Sequence, residues 1–237
     1  MQELTSILEF DGVTLRASSV QTVGVTGVTF SLRRGEIALV EVEEGRENIP
    51  LAALAQGLFT PDSGKVYFNG ECWEAVGPDR QSLMRGRIRR VFEHYGWVTN
   101  MDMMENLCLA ESHNAGRELE EIQQEVRGLA RRFGLDNVPE ARPTRVHSMI
   151  LRKLEWVRAF VGAPDLILLE RPLAGAPKAD AGKLIEAVVE AAKRGVAIIW
   201  ISDENRVMEC PEMAGVRRFR MDGDKMLDAG INKGITT

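Results

Sequence analysis

The chain opens with two stretches where apolar and polar positions alternate or β-branched residues dominate, Ile7–Leu15 (ILEFDGVTL) and Val23–Leu32 (VGVTGVTFSL). That pattern predicts antiparallel strands. Glu36–Val42 (EIALVEV) reads as a buried strand, and Leu51–Phe59 (LAALAQGLF) as a helix. The turn TPDSGK, the strand VYFNG and a further strand over Ile88–Phe92 follow. From about residue 97 to 147 the β pattern gives way to charge. Within ELEEIQQEVRGLARRFG, Ile122, Val126, Leu129 and Phe133 recur at helical spacing and predict an amphipathic helix in a helical insert. Ser148–Val161 reads as another helix, with Ile150, Leu154, Val157 and Val161 on one face and Arg152, Lys153 and Arg158 away from it. Leu166–Leu169 and Val196–Ser202 are apolar enough to be strands buried on both faces. Between them Asp180–Arg194 reads as a helix closed by Gly195. Strand–helix alternation of this kind predicts a parallel α/β core.

Composition narrows the picture. The 237 residues suit one large or two modest domains, and 44% apolar content supports an ordinary core. A net charge of −5 argues against a general nucleic-acid surface. The basic clusters Arg85–Arg90 (RGRIRR) and Arg217–Arg220 (RRFR) are expected on solvated faces and strand edges. Cys72, Cys108 and Cys210 share no metal-ligand spacing and suggest no disulfide framework. The start, MQELTSILEFDG, has no basic segment followed by an apolar core, and LILL and VAIIWI are too short to span a bilayer. These features lead to the expectation of a soluble, cytoplasmic chain.

The segment Val40–Pro50 (VEVEEGRENIP) raises the question of chemistry. A strand, a glycine turn and a helix form the setting of a phosphate loop. This loop has a single glycine, several glutamates and no lysine.

Nearly the whole chain resembles the nucleotide-binding subunit of an ABC transporter. The resemblance is carried by GEIALVEV, LAALAQGLFTPDSGKVYFNG, RRVFEHYGWVTNMDMMENLCL, KLEWVRAFVGAPDLILLERPLAGAP and VAIIWISDEN. It implies a single domain over 1–237: a P-loop NTPase (RecA-like) α/β core of the ABC type at 1–96 and 148–237, an N-terminal antiparallel β region, and a helical subdomain at 97–147. The phrase ending in TNMDMMENL is most similar to cassettes of bacterial MCE-linked lipid transporters of the maintenance-of-lipid-asymmetry type.

The scaffold of that family is present while its chemistry is altered. In its phosphate loop, G-x-x-G-x-G-K-[ST], the glycines, lysine and hydroxyl fall at Val42, Gly45, Glu47, Asn48 and Ile49, so only Gly45 matches. Glycines let backbone N–H groups approach phosphate, lysine neutralises it, and the hydroxyl holds magnesium. A carboxylate about 4 Å from a phosphate charge costs roughly 4 kcal/mol at an effective dielectric of about 20. The metal-sensing glutamine falls at Glu93. The signature LSGGQ falls at Val146, His147, Ser148, Met149 and Ile150. The acidic strand end falls at Glu170, but the catalytic glutamate falls at Arg171, which stays protonated and cannot act as a base. The switch histidine falls at Asp203, and no aromatic residue lies between Leu15 and Val28 to stack on adenine.

The resemblance with these departures implies a pseudo-ATPase that binds neither ATP nor magnesium, with no metal site and no catalytic residue. It would be a structural subunit of a bacterial membrane transporter, expected to carry lipid. It would sit at the inner face of the cell membrane, paired with a permease through its coupling helix and with a second cassette, self or paralogue. The adaptable residues Tyr95, Trp97, Met101, Met103 and Met104 are the candidate permease contacts, with ordinary packing of the insert as the alternative. Two rival functions are an atypical ATPase using Glu93, Glu170 and Asp203 around a metal, and an adaptor outside transport. Charge inversion of the loop also suggests an internal ion pair, in which Arg171 or Arg46 answers Glu43, Glu44, Glu47 or Glu170. His147, without a neighbouring acid or nucleophile, is expected at a helix start or interface, and His94 and His113 carry no ligand pattern.

Overall fold

A computed structural model describes residues 6–19, 21–45, 48–94, 96–114, 116–203, 207 and 209–232. Its strands are β1 (Ser6–Leu15), β2 (Val25–Arg33), β3 (Ile37–Glu41), β4 (Ser63–Phe68), β5 (Glu71–Cys72), β6 (Ile88–Val91), β7 (Leu166–Glu170), β8 (Ala197–Ser202), β9 (Arg217–Asp222) and β10 (Lys225–Ile231). Its helices are α1 (Leu51–Ala55), α2 (Pro78–Arg85), α3 (Met103–Asn114), α4 (Leu119–Arg132), α5 (Ser148–Phe160) and α6 (Ala181–Lys193). Among the described residues, no helix is long and apolar enough to cross a membrane.

Two sheets share the work. The N-terminal sheet runs β2-β1-β4-β5 and is antiparallel. The central sheet runs β10-β9-β3-β8-β7-β6, parallel from β9 to β6, with β10 added antiparallel. Side chains alternate across the central strands, as strand geometry requires. Leu39, Leu169 and Trp200 face the core built with α3–α6, while Val40, Leu168 and Ile199 face the core shared with α1 and the antiparallel sheet. Covering both faces explains why β7 and β8 are buried at every position.

Most predicted elements occur within a few residues of their expected bounds, and three differences have physical causes. The expected helix Leu51–Phe59 ends at Ala55, because Gly57 turns left-handed (φ +60°) and the Leu58 N–H closes back onto the Ala53 carbonyl. Gly57 also lies so close to the Trp73 ring that a Cβ would fall 2.4 Å from it. The cluster RRFR is no strand edge on the outside: β9 lies between β3 and β10, with Phe219 and Met221 inward. The arginines of RGRIRR are not simply solvated. Arg87 pairs with Asp165, Arg89 is buried against Glu111, and Arg90 binds Glu170.

The helix α5 likewise departs from its expected one-sided pattern. It is wedged between the sheet and the helical insert, so Arg152 and Glu155 are buried together with Leu154 and Trp156. The cysteines are free, as their spacing suggested.

Candidate functional site

The carboxyl ends of β3, β6, β7 and β8 converge on the loop that follows β3. Its flanks are packed as core: Val42 and Ile49 are 4% and 5% exposed in the cluster under the antiparallel sheet. Apolar side chains at positions where the family has glycine and a hydroxyl anchor the loop by burial. The Val42 N–H also donates to the Ser202 carbonyl at 3.1 Å. Gly45 takes the positive φ (+77°) that glycine tolerates. Asn48, at the family's lysine position, is also left-handed (φ +59°). Arg46 and Glu47 lie outside the described residues.

Both backbone groups of Asn48 are engaged within the chain. Its N–H donates to Glu93 Oε2 at 2.8 Å, and its carbonyl accepts from Gln21 Nε2 at 2.6 Å. The other Glu93 oxygen lies 3.3 Å from Arg171 Nε. Arg171 Nη2 stands 3.4 Å from Asp203 Oδ2 and 3.5 Å from the Glu43 carbonyl. Arg171 holds this place from a left-handed backbone (φ +41°), which costs a non-glycine residue roughly 1–2 kcal/mol. Arg171 therefore pairs with Glu93 and Asp203, whereas the sequence suggested Glu43, Glu44, Glu47 or Glu170 as its partners. Glu43 contributes its carbonyl.

Glu170 belongs to Arg90. The guanidinium binds both carboxylate oxygens, at 2.7 Å through Nε and 2.9 Å through Nη2. Arg90 is steadied by Gln56 Oε1 at 3.1 Å and by the Phe92 ring, 4.7 Å from its carbon. Burial pushes the Glu170 carboxyl above its ordinary range, and Arg90 draws it back. A cavity of about 320 Å³ remains between Asn48, Phe92, Glu93 and Glu170.

A second tier of charge supports the residue 92–97 segment from below. Arg152 donates to the carbonyls of Phe92 (2.9 Å), Glu93 (3.2 Å) and Ala174 (3.0 Å), and to Glu155 Oε2 (2.7 Å). Arg158 donates to the Gly96 carbonyl at 2.6 Å and stacks 4.2 Å from the Trp97 ring centre. Its Nη2 lies 3.5 Å from Glu155 Oε1. Burial pushes Glu155 up to about 7, against the pull of Arg152 and Arg158, and pushes Arg158 down. The acids Glu93, Glu155, Glu170 and Asp203 are matched by an equal number of arginines, 90, 152, 158 and 171. Among the described residues, no group of three or more His, Cys, Asp or Glu side chains is arranged to hold a metal ion.

The signature segment stands at the start of α5. His147 is its N-cap, accepting from the Met149 N–H through Nδ1 at 3.3 Å, so the helix-start role is observed. Val146 and Ile150 pack against the core, while Ser148 and Met149 are exposed. Of the candidate permease contacts, Met103 is a correction: it is fully buried beneath α4 and α5. Trp97, Met101 and Met104 are half-buried, and Tyr95 lies outside the described residues. Gln21, Arg90 and Arg152 were missed as site residues. Arg90 carried a signal, since it sits two positions from Ile88 on a strand whose alternate residues share a face.

The fold, with this loop at the head of the parallel sheet, is that of ATP-binding cassettes of the ABC transporter type. No family model matches the chain. It is similar to the uncharacterized ABC transporter ATP-binding protein YphE of Escherichia coli K12, 24% identical over 216 residues, covering 87% of this chain and 42% of YphE. It is also similar to the xylose import ATP-binding protein XylG of Geobacillus kaustophilus, 27% identical over 220 residues, covering 90% of this chain and 42% of XylG. The chain therefore spans less than half the length of these curated relatives. Among solved structures, the ATP-binding subunit of an ABC transporter aligns with TM-score 0.77 at 19% identity, covering 94% of this chain and 90% of that one. The dimeric post-hydrolysis cassette MJ0796, bound to ADP and Pi, aligns with TM-score 0.81 at 14% identity, covering 97% of this chain and all (100%) of that one.

Proposed function

We propose that this chain is a non-hydrolysing cassette, a structural subunit of a bacterial membrane transporter. The observation that carries the reading is the double substitution at the loop. Glu93 supplies an internal carboxylate to the Asn48 N–H, where a phosphate oxygen would be bound, and Arg90 supplies an internal cation to Glu170, where magnesium would be bound. The residues present do not fit a magnesium–nucleotide: both charged ligands have side-chain replacements, and a buried arginine pair is costly to open. Arg171 at the base position adds a fixed positive charge tied to Glu93 and Asp203.

The alternative, an active ATPase built on Glu93, Glu170 and Asp203, requires a metal to displace Arg90 from Glu170 and Arg171 from the other two. The geometry favours the structural role for that reason. In this reading the chain docks on a permease from the cytoplasm, with Trp97, Met101 and Met104 beside the contact, and a second cassette completes the assembly. Lipid as cargo is supported by the resemblance of the phrase from Arg89 to Leu109. Among the curated relatives are import proteins for ribose, xylose and molybdate or tungstate, and their cargo is their own.

The test is calorimetric titration of the purified chain with magnesium–ATP, beside phosphate-release assays. The expected result is neither heat of binding nor turnover at millimolar nucleotide. Turnover lost on Glu170→Ala would overturn the reading.

A further inference from the structure

We propose that a cavity at the N-terminal edge of the parallel sheet, rimmed by Arg34, Arg87 and Arg194, binds an amphipathic monoanion: a carboxylate carried on a short apolar tail. The cavity lies at the opposite end of the strands from the loop after β3, so it is independent of whether that loop meets nucleotide.

The strands β6, β7 and β8 begin together here. The Asp165 N–H donates to the Arg87 carbonyl and the Ala197 N–H to the Asp165 carbonyl, both at 2.9 Å. The turn between β2 and β3 is drawn in beside them. Gly35 is left-handed (φ +74°), and a Cβ there would fall 2.9 Å from the Ala192 carbonyl oxygen at the end of α6. Glycine therefore lets the turn close onto the helix. Arg34 reaches Asp165 Oδ1 at 3.3 Å, while Arg87 Nε and Asn69 Nδ2 both donate to Oδ2. Beside this cluster opens a cavity of about 330 Å³. That volume is within the range of about 300–1,000 Å³ usual for small-molecule sites. Phe160, Ile167, Ala191 and Val196 form its apolar floor, continuous with the core built with α3–α6.

Three cations and one acid line the cavity. The acid, Asp165, is buried and already answered by two arginines and an amide. The arginine side chains are 58%, 58% and 62% exposed. Among the described residues, Arg194 meets only Glu190, at 3.9 Å, and Glu190 is itself 2.8 Å from Arg132. Guanidinium forks with unused donors match a carboxylate. The end of α6 favours a cation for structural reasons alone, although its Ala191 and Ala192 carbonyls already accept from Val196 and Gly195. That accounts for Arg194 and leaves the apolar hollow behind it unexplained. The helix end, Asp165 and Glu190 together disfavour a dianion, so a single negative charge fits best. An apolar tail suits the floor, where a polar group would lose its hydration without a partner.

NMR titration of the full chain with sodium octanoate tests this, with acetate and octanol as the head and the tail alone. Octanoate is expected to bind with a Kd of about 1 mM or tighter, and acetate and octanol at least about tenfold more weakly. The amide signals of Gly35, Gly162 and Gly195 should move. Arg194→Glu, an exposed change whose folding the spectrum itself reports, should weaken octanoate by about tenfold or more. Ala163→Trp, at the exposed lip of the cavity, should block it and weaken binding by a similar factor. Octanoate binding weaker than about 1 mM overturns the proposal, as do signal changes confined to other parts of the chain. Equal binding of octanol, or octanoate binding unchanged in either variant, also overturns it, since it would mark a general apolar contact.

Discussion

Replacing Arg90 by methionine isolates the internal cation that stands on Glu170. The two side chains are 14% and 9% exposed and joined by two hydrogen bonds, so the change leaves a buried carboxylate without its counter-charge. Breaking a buried pair in this way costs about 3–5 kcal/mol. Against a typical total stability of about 5–15 kcal/mol, that is a large fraction. With a urea m-value of about 3 kcal/mol/M, the unfolding midpoint should fall by roughly 1–1.7 M. The deficit should depend on pH with a definite sign. Glu170 has a folded pKa raised above the ordinary 4.5, so its protonated form stabilises the fold at low pH and that contribution is lost as pH rises. Without Arg90 the carboxyl rises further, so the variant's deficit should be largest near pH 8 and shrink toward pH 5. R90M/E170M should recover most of the loss, because an apolar pair of similar volume removes the buried charge. The assay is equilibrium urea unfolding followed by tryptophan fluorescence. A loss under about 1 kcal/mol for R90M, or an equal loss in the double variant, would refute the buried-pair argument. Recovery of R90M on adding magnesium ions would instead mark the position as a working metal site.

Three further outcomes follow from the same structure. Because burial raises Glu155 to about 7 from 4.5, its contribution to stability is fully present below pH 4.5 and is lost as pH rises through 7, by roughly 3 kcal/mol at most; the pH series should flatten over that window in Glu155→Gln. Gly57→Ala should destabilise by at least about 2 kcal/mol, since it forces a left-handed non-glycine residue and drives a Cβ into the Trp73 ring, and thermal unfolding will read it. Trp97→Ala removes the ring under Arg158 and should cost about 1–2 kcal/mol, read by urea unfolding, with weaker co-purification of a membrane partner.

Local pattern carried most of the architecture. Alternation in ILEFDGVTL and unbroken apolar runs at 166–169 and 196–201 report burial on one face or two, and those are properties of neighbouring positions alone. The composition of the loop after β3 was legible for the same reason: one glycine, several glutamates and no lysine are facts about residue types at a spacing. The strand β9 was harder, since its alternating RRFRMD looks like a charge cluster until Phe219 and Met221 are seen to point inward. The short α1 depended on Trp73 standing against Gly57, sixteen positions apart in sequence and adjacent only in space.

By itself, then, the amino-acid order determined the parallel α/β frame, the antiparallel region and the residue types of the loop after β3. Only tertiary structure decided which charge meets which. Arg90 and Glu170 are joined across neighbouring strands, Glu93 is brought to Asn48 from another loop, and Arg171 reaches Glu93 and Asp203. Such pairings depend on strand order and on the few ångströms over which a buried ion pair forms, and neither quantity is written in residue spacing.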